Sequence, residues 1–265
     1  MCIRDRLRGV QQICDDLDAE TEALTAVVGE LTEEEWRQPT VAEGWDSHET
    51  VLHLGASDHL AYLTLTDPEA FADVMGRISR AEGSLNGLAG ADVRTLAGAD
   101  LWQWFLEGRS AMTHALRQLG AKARVTWIGP EIGARAMATG RLTETWTHSH
   151  DLADTFGVDY PRTNRLRNIA HLGVITRDFS YANRGLTPPA DPIRVELTGP
   201  AGDLWTWGPE DASDRVVATA YAFCKVLTRR QPLADSAVDA QGSLAVEWME
   251  IAQPWIEPPR ISDRA

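Results

Sequence analysis

Three cysteines in 265 residues, with no Cys-x-x-Cys pair among them, argue against a disulfide framework or a cysteine-rich zinc site. Two of them, Cys14 and Cys224, fall on apolar faces of expected helices and read as buried core thiols. Basic residues are also scarce: 25 Lys and Arg stand against 39 Asp and Glu, for a net charge of −14. No run of Lys and Arg supplies the positive groove that a nucleic acid needs, so no nucleic-acid partner is expected. No apolar run reaches the roughly 20 residues needed to cross a bilayer, so no membrane partner is expected either. The opening MCIRDRLRG has positive charge without the apolar core of a signal peptide, which makes the cytoplasm the expected location. A Gly-x-Ser-x-Gly elbow is missing too, so Ser-His-Asp chemistry finds no support.

What is present suits a packed interior. Hydrophobic residues make up 43% of the chain, and ten tryptophans could wall a pocket or simply fill a core. The first five residues, MCIRD, resemble the translation of a transposon-derived sequencing adapter. Met1 to Asp5 are therefore expected to be non-native, and Cys2 carries no functional weight.

Hydrophobic spacing predicts helices along most of the first two thirds. Residues 6–31 place Val10, Cys14, Leu17, Leu24, Val28 and Leu31 on one face. LTEEEW reads as a short helical turn, and Ser47 can cap a helix through SHETVLHLGASDHLAYLTL. A further helical stretch starts at Asp67-Pro68, and the glycine-rich 83–98 segment reads as an irregular connection. Long helices follow over 99–119 and 131–156, the latter ended by Gly157, and another spans roughly 164–183. The expected architecture is mainly α, an antiparallel helical bundle over residues 6–186. TPPADP at 187–192 then marks a boundary to a small α+β domain over 187–258. There Ile193, Val195 and Leu197 alternate, GPAG turns the chain, and Trp205 and Trp207 alternate back as a hairpin. Those tryptophans could close over the bundle mouth or pack beneath helices of their own domain. Asp214 to Arg229 reads as a helix burying Val216, Ala220, Phe223 and Leu227, with a last helix over 243–252.

Chemistry concentrates in TETWTHSHDLAD, residues 143–154. At 3.6 residues per turn, Glu144 and His148 lie about 40° apart on a helix, with Asp151 about 20° to the other side of Glu144. His150 sits about 120° away and faces elsewhere. A carboxylate and an imidazole supply two ligands for an ion that usually takes three from the protein. The third would come from His48, His53, His59, His114 or His171, and His53 flanks the apolar stripe of Leu52, Ala56 and Leu60. Glu and His four apart also form ordinary surface pairs, and spacing alone leaves both readings open.

GWDSHETVLHL at 44–54, with Trp45 eight residues before His53, is followed some ninety residues later by ETWTHSHDLAD. This pairing resembles the mycothiol-dependent maleylpyruvate isomerase family, a branch of the DinB-like helical-bundle superfamily. The C-terminal VELTGPAGDLWTWGPEDASDRV and AVEWMEIAQPWIEPP resemble an actinobacterial subgroup described only as metal-binding. The resemblance implies a DinB-like antiparallel four-helix bundle and a divalent metal, zinc foremost, held by His53, Glu144 and His148. Asp151 would orient an imidazole. It further implies a small-molecule substrate, with mycothiol as a low-molecular-weight thiol co-substrate, in a monomer or homodimer. The same ion with bound hydroxide would make a hydrolase, and a non-catalytic metal-binding protein is the third reading. A substrate-clamping arginine is not assigned among Arg77, Arg80, Arg141 and Arg177, each of which reads as solvated.

Overall fold

A computed structural model describes residues 9–79, 86–120, 122–128 and 131–255. Met1 to Asp5, Cys2 among them, and Arg80 lie outside the described residues. The chain divides into two compact units between Tyr160 and Pro161.

The first unit begins with α1 (Val10–Val28), whose Ile13, Cys14, Leu17, Leu24 and Val28 recur at helical spacing and are buried. A single-turn helix, α2 (Glu33–Trp36), is set by a capping box in which Thr32 N–H donates to Glu35 Oε2 at 2.8 Å. Helix α3 (Ser47–Thr66) is capped by Asp46, not by Ser47 as the sequence suggested. Asp46 Oδ1 accepts from the Glu49 N–H at 2.7 Å, and the fully buried Ser47 becomes the first helical residue. After α4 (Pro68–Ser79), the expected irregular connection contains a 3-10 turn at Asn86–Ala89 and a short α5 (Gly90–Arg94). Then come α6 (Gly98–Arg117), the two-residue strands β1 (Arg124–Val125) and β2 (Ile132–Gly133), and α7 (Ala134–Phe156). Gly157 ends α7 in the left-handed region at φ +65°, where a side chain is disfavoured.

Four long helices make the core: α1 packs on α6 and α7, and α3 packs on the same two. Gly55 lets α3 approach α6, since a Cβ there would collide with the Trp104 ring. Every residue of α7 from Thr145 to Ala153 is buried, although few are apolar. The helix manages this through its threonines. Thr139, Thr143, Thr145, Thr147 and Thr155 each donate their hydroxyl to the carbonyl four residues back at 2.7–2.9 Å.

The second unit holds α8 (Leu166–Ile175), α9 (Arg177–Ala182), β3 (Ile193–Thr198), β4 (Leu204–Trp207), β5 (Asp214–Thr219), α10 (Ala220–Leu227), β6 (Asp239–Gln241) and α11 (Ser243–Ile251). Its sheet order is β4-β3-β5-β6, antiparallel at both edges and parallel between β3 and β5. Two differences from the sequence reading stand out. Asp214–Thr219 is a strand, with Val216 opposite Val195; only from Ala220 onward does the expected helix form. The division between units also falls earlier than the expected 186/187 boundary. Here α8 packs on α10 and α9 on α11, while Arg177 donates to the carbonyls of Pro189 and Asp191. TPPADP is thus tied into the second unit. Trp205 and Trp207 pack within that unit as well: the Arg167 guanidinium lies over the buried Trp205, and Trp207 Nε1 donates to His171 Nδ1 at 3.1 Å.

Candidate metal centre

Helix α3 delivers His53, and α7 delivers Glu144 and His148 from successive turns of one face. One potential ligand atom from each lies within 4.8 Å of the other two. Glu144 Oε2 stands 3.4 Å from His53 Nε2 and 3.6 Å from His148 Nε2. These separations are longer than a good N–H···O hydrogen bond. They match the roughly 3.3–3.6 Å between two ligand atoms that each sit about 2.0–2.2 Å from one tetrahedral ion.

Proton placement points the same way. His148 Nδ1 donates to Asp151 Oδ2 at 2.9 Å, and Asp151 is itself buried. In the neutral ring this leaves the Nε2 lone pair facing the Glu144 carboxylate. Two acceptors face each other there, an arrangement that a cation between them satisfies. The charge states suit an ion as well. Burial pushes the His53 pKa down, which keeps its ring neutral. Burial acts to raise the Glu144 carboxyl, but the facing His148 and His53 rings and the nearby Arg141 charge outweigh it, so the group is held well below the usual carboxylate range. Neutral imidazoles and an ionised carboxylate are the forms that ligate. The donor set therefore fits a divalent cation.

The surroundings are built from both helices and two loops. The Trp45 indole lies against both imidazoles, with centroids 4.7 Å from His53 and 5.2 Å from His148. Its loop is fixed by Thr40, whose N–H and hydroxyl both donate to the Trp45 carbonyl, and by the Val41 N–H, which donates to Thr155 Oγ1 on α7. Asn86 Oδ1 lies 3.3 Å from His53 Nδ1.

The other histidines go elsewhere. His48 is buried with Nε2 at 3.0 Å from the Leu96 carbonyl, while His59 and His114 are exposed. His171 belongs to the second unit. His150 is buried on a different side of α7, where Nδ1 donates to the Trp146 carbonyl and the ring meets Tyr160. Of the arginines, Arg77 is exposed and Arg177 braces the second unit. Arg141 is not solvated, as the sequence suggested, but buried: Nε lies 3.6 Å from Asp58 Oδ1 and Nη2 lies 3.9 Å from Glu144 Oε2. Behind it the buried Arg109 joins all four core helices, donating to Asp58 on α3, Thr21 on α1 and Thr145 on α7. Sequence reasoning missed Arg109, Asp58 and Asn86. The two thiols among the described residues are buried, with burial pushing Cys14 up to about 11 and raising Cys224 still further. Neither can serve as a thiolate near neutral pH.

A four-helix core carrying an imidazole–carboxylate–imidazole cluster defines a class of helical-bundle proteins with a candidate metal centre. The chain belongs to the mycothiol maleylpyruvate isomerase family, since residues 17–153 match the model of the mycothiol maleylpyruvate isomerase N-terminal domain. Two uncharacterized proteins of Mycobacterium tuberculosis, from strains CDC 1551 and H37Rv, are each 40% identical over 244 residues, covering 92% of this chain and 95% of theirs. Two crystal structures of the mycothiol-dependent maleylpyruvate isomerase, one of them a histidine-to-alanine mutant, superpose with a TM-score of 0.59 at 16% identity. They cover 96% of this chain and 100% of theirs. That likeness establishes the shared fold, mainly helical with a small sheet region, as the sequence had indicated.

Proposed function

We propose that His53, Glu144 and His148 hold one divalent cation, most simply zinc, and that the protein is a mycothiol-linked isomerase or thiol transferase acting on a small molecule. The observation that carries the reading is the convergence of two imidazole Nε2 atoms on Glu144 Oε2 at 3.4 and 3.6 Å, long for hydrogen bonds and matched to ligands of one ion.

Each residue then has a task. Asp151 holds the His148 ring in the tautomer that turns Nε2 toward Glu144. Glu144 stays ionised beside the neutral His53 ring. Trp45 covers one side of both rings and keeps water from that side. Among the described residues both cysteines, Cys14 and Cys224, are buried, which suits a nucleophilic sulfur supplied by a low-molecular-weight thiol. A bound ion of this kind acts as a Lewis acid that favours the deprotonated form of a coordinated thiol or water. A thiol co-substrate and unpaired cysteines suit the reducing cytoplasm.

Elemental analysis of the purified protein beside a Glu144→Ala/His148→Ala double variant tests the assignment. About one equivalent of zinc in the parent and none in the variant is expected, followed by turnover of unsaturated acids only when mycothiol is present. Absence of metal from the parent, even after reconstitution with zinc, overturns the site. Metal-dependent turnover of esters or amides without thiol replaces the reaction with hydrolysis.

A further inference from the structure

His148 has Asp151 to fix its ring, and nothing in the sequence pattern supplies the equivalent for His53. The structure does. Asn86 opens the 3-10 turn at Asn86–Ala89 and places Oδ1 3.3 Å from His53 Nδ1. Which end of that amide faces the ring is settled by its other contacts. Nδ2 lies 2.8 Å from Glu49 Oε2 and 3.3 Å from the Glu49 carbonyl, both of which are acceptors only. The NH₂ end must therefore face Glu49, and the oxygen must face His53. An oxygen there accepts from Nδ1–H, which leaves Nε2 as the lone-pair atom, and Nε2 is the atom directed at Glu144. Glu49 sits one turn before His53 on the same helix, so the Glu49–Asn86–His53 chain closes a loop back onto α3.

We propose that Asn86, oriented by Glu49, is the positioning residue that fixes the His53 tautomer for metal binding, and that ion binding in turn holds the Asn86–Arg94 segment against α3. The inference rests on the metal-centre reading above. The coupling is reciprocal: whatever Asn86 contributes to ion affinity, the ion returns to docking of the segment.

The test is zinc affinity, measured by competition with a chromophoric chelator, for the parent and two variants, with the visible spectrum of the cobalt form as a second readout. Asn86→Ala removes the acceptor on a half-buried loop and is expected to weaken zinc binding about 10–100-fold. Asn86→Asp/Glu49→Gln supplies a carboxylate acceptor to Nδ1, while the neutral amide at position 49 avoids setting two carboxylates side by side. It is expected to bind zinc at least as tightly as the parent and to restore the parent cobalt spectrum. Hydrogen exchange in Asn86–Arg94 should slow on adding zinc to the parent and respond less in Asn86→Ala. A parent that holds one zinc while Asn86→Ala binds within twofold of it overturns the inference and leaves the metal reading intact. So does a double variant as weak as Asn86→Ala, because the amide would then be holding the loop rather than the ring. A parent that binds no zinc overturns both.

Discussion

Replacing Arg109 by Met should cost the first unit about 3 kcal/mol, chiefly through the buried charge it strands. Arg109 makes three hydrogen bonds: Nε to Asp58 Oδ2 at 2.5 Å, Nη1 to Thr21 Oγ1 at 2.7 Å and Nη2 to Thr145 Oγ1 at 2.9 Å. Neither hydroxyl is orphaned by the substitution, since Thr21 still donates to the Leu17 carbonyl and Thr145 to the Arg141 carbonyl. Methionine also fills much of the volume, so the cavity contribution is small. What remains is Asp58, fully buried and deprived of its best partner. Breaking a buried pair from one side costs roughly 3–5 kcal/mol. Arg141 Nε stays 3.6 Å from Asp58 Oδ1 and offsets part of that, which favours the lower end. For a domain of this size, about 3 kcal/mol corresponds to a fall of roughly 6–12 °C in Tm. Urea unfolding should be followed with chelator present, so that ion binding does not add its own stabilisation. Asp58→Asn in the same background removes the stranded charge, so the double variant should lose less than the sum of the two single losses. A loss below about 1 kcal/mol for Arg109→Met, or strict additivity in the cycle, would refute the claim that these charges depend on each other.

Two predictions concern the second unit. Glu196 Oε1 accepts from Arg194 Nε and Arg215 Nη1, both at 3.0 Å, and the hydrogen bond from Arg194 chiefly holds its carboxyl below the usual range. Its contribution is fully present above the unfolded carboxylate pKa and is lost as pH falls through the lower folded value. Unfolding midpoints should therefore drop less between about pH 6 and pH 3 in Glu196→Gln than in the parent, and equal drops would contradict this. At the end of β4, Gly208 combines φ +77° with a position where a Cβ would collide with the Ile193 carbonyl, whereas Gly202, at φ +85°, has open space. Gly202→Ala should cost about 1–2 kcal/mol from backbone strain alone. Gly208→Ala should cost clearly more in the same denaturant titration, and a reversed order would count against the packing described.

The site was legible in the sequence to the extent that its residues share a helical face. Glu144, His148 and Asp151 lie at fixed angular offsets on one face, whereas spacing left His53 one of five candidate histidines beside an apolar stripe, and the family resemblance singled it out. Asn86 was not legible, because it sits in a weakly patterned connection and reaches His53 across 33 residues of sequence. The Arg109–Asp58–Arg141 group escaped notice for a different reason. Charged residues on an amphipathic helix normally mark its wet face, and only the three-dimensional packing pairs these with one another. Asp214–Thr219 misled because Val216, Ala220, Phe223 and Leu227 fit a helical spacing. Pairing with β3 decided the strand, a long-range contact that outweighs local pattern.

The threonine bonds inside α7 have a consequence for how this sequence can drift. The hydroxyls of Thr139, Thr143 and Thr147 are satisfied by their own helix, so exchange for the nearly isosteric valine leaves no other group wanting a proton. Thr145 and Thr155 differ, because each also accepts: the first from Arg109, the second from the Val41 N–H in the loop that carries Trp45. Five identical side chains on one helix thus fall into two groups. Three are free to wander among β-branched residues, while two couple the helix that carries Glu144 and His148 to the rest of its unit.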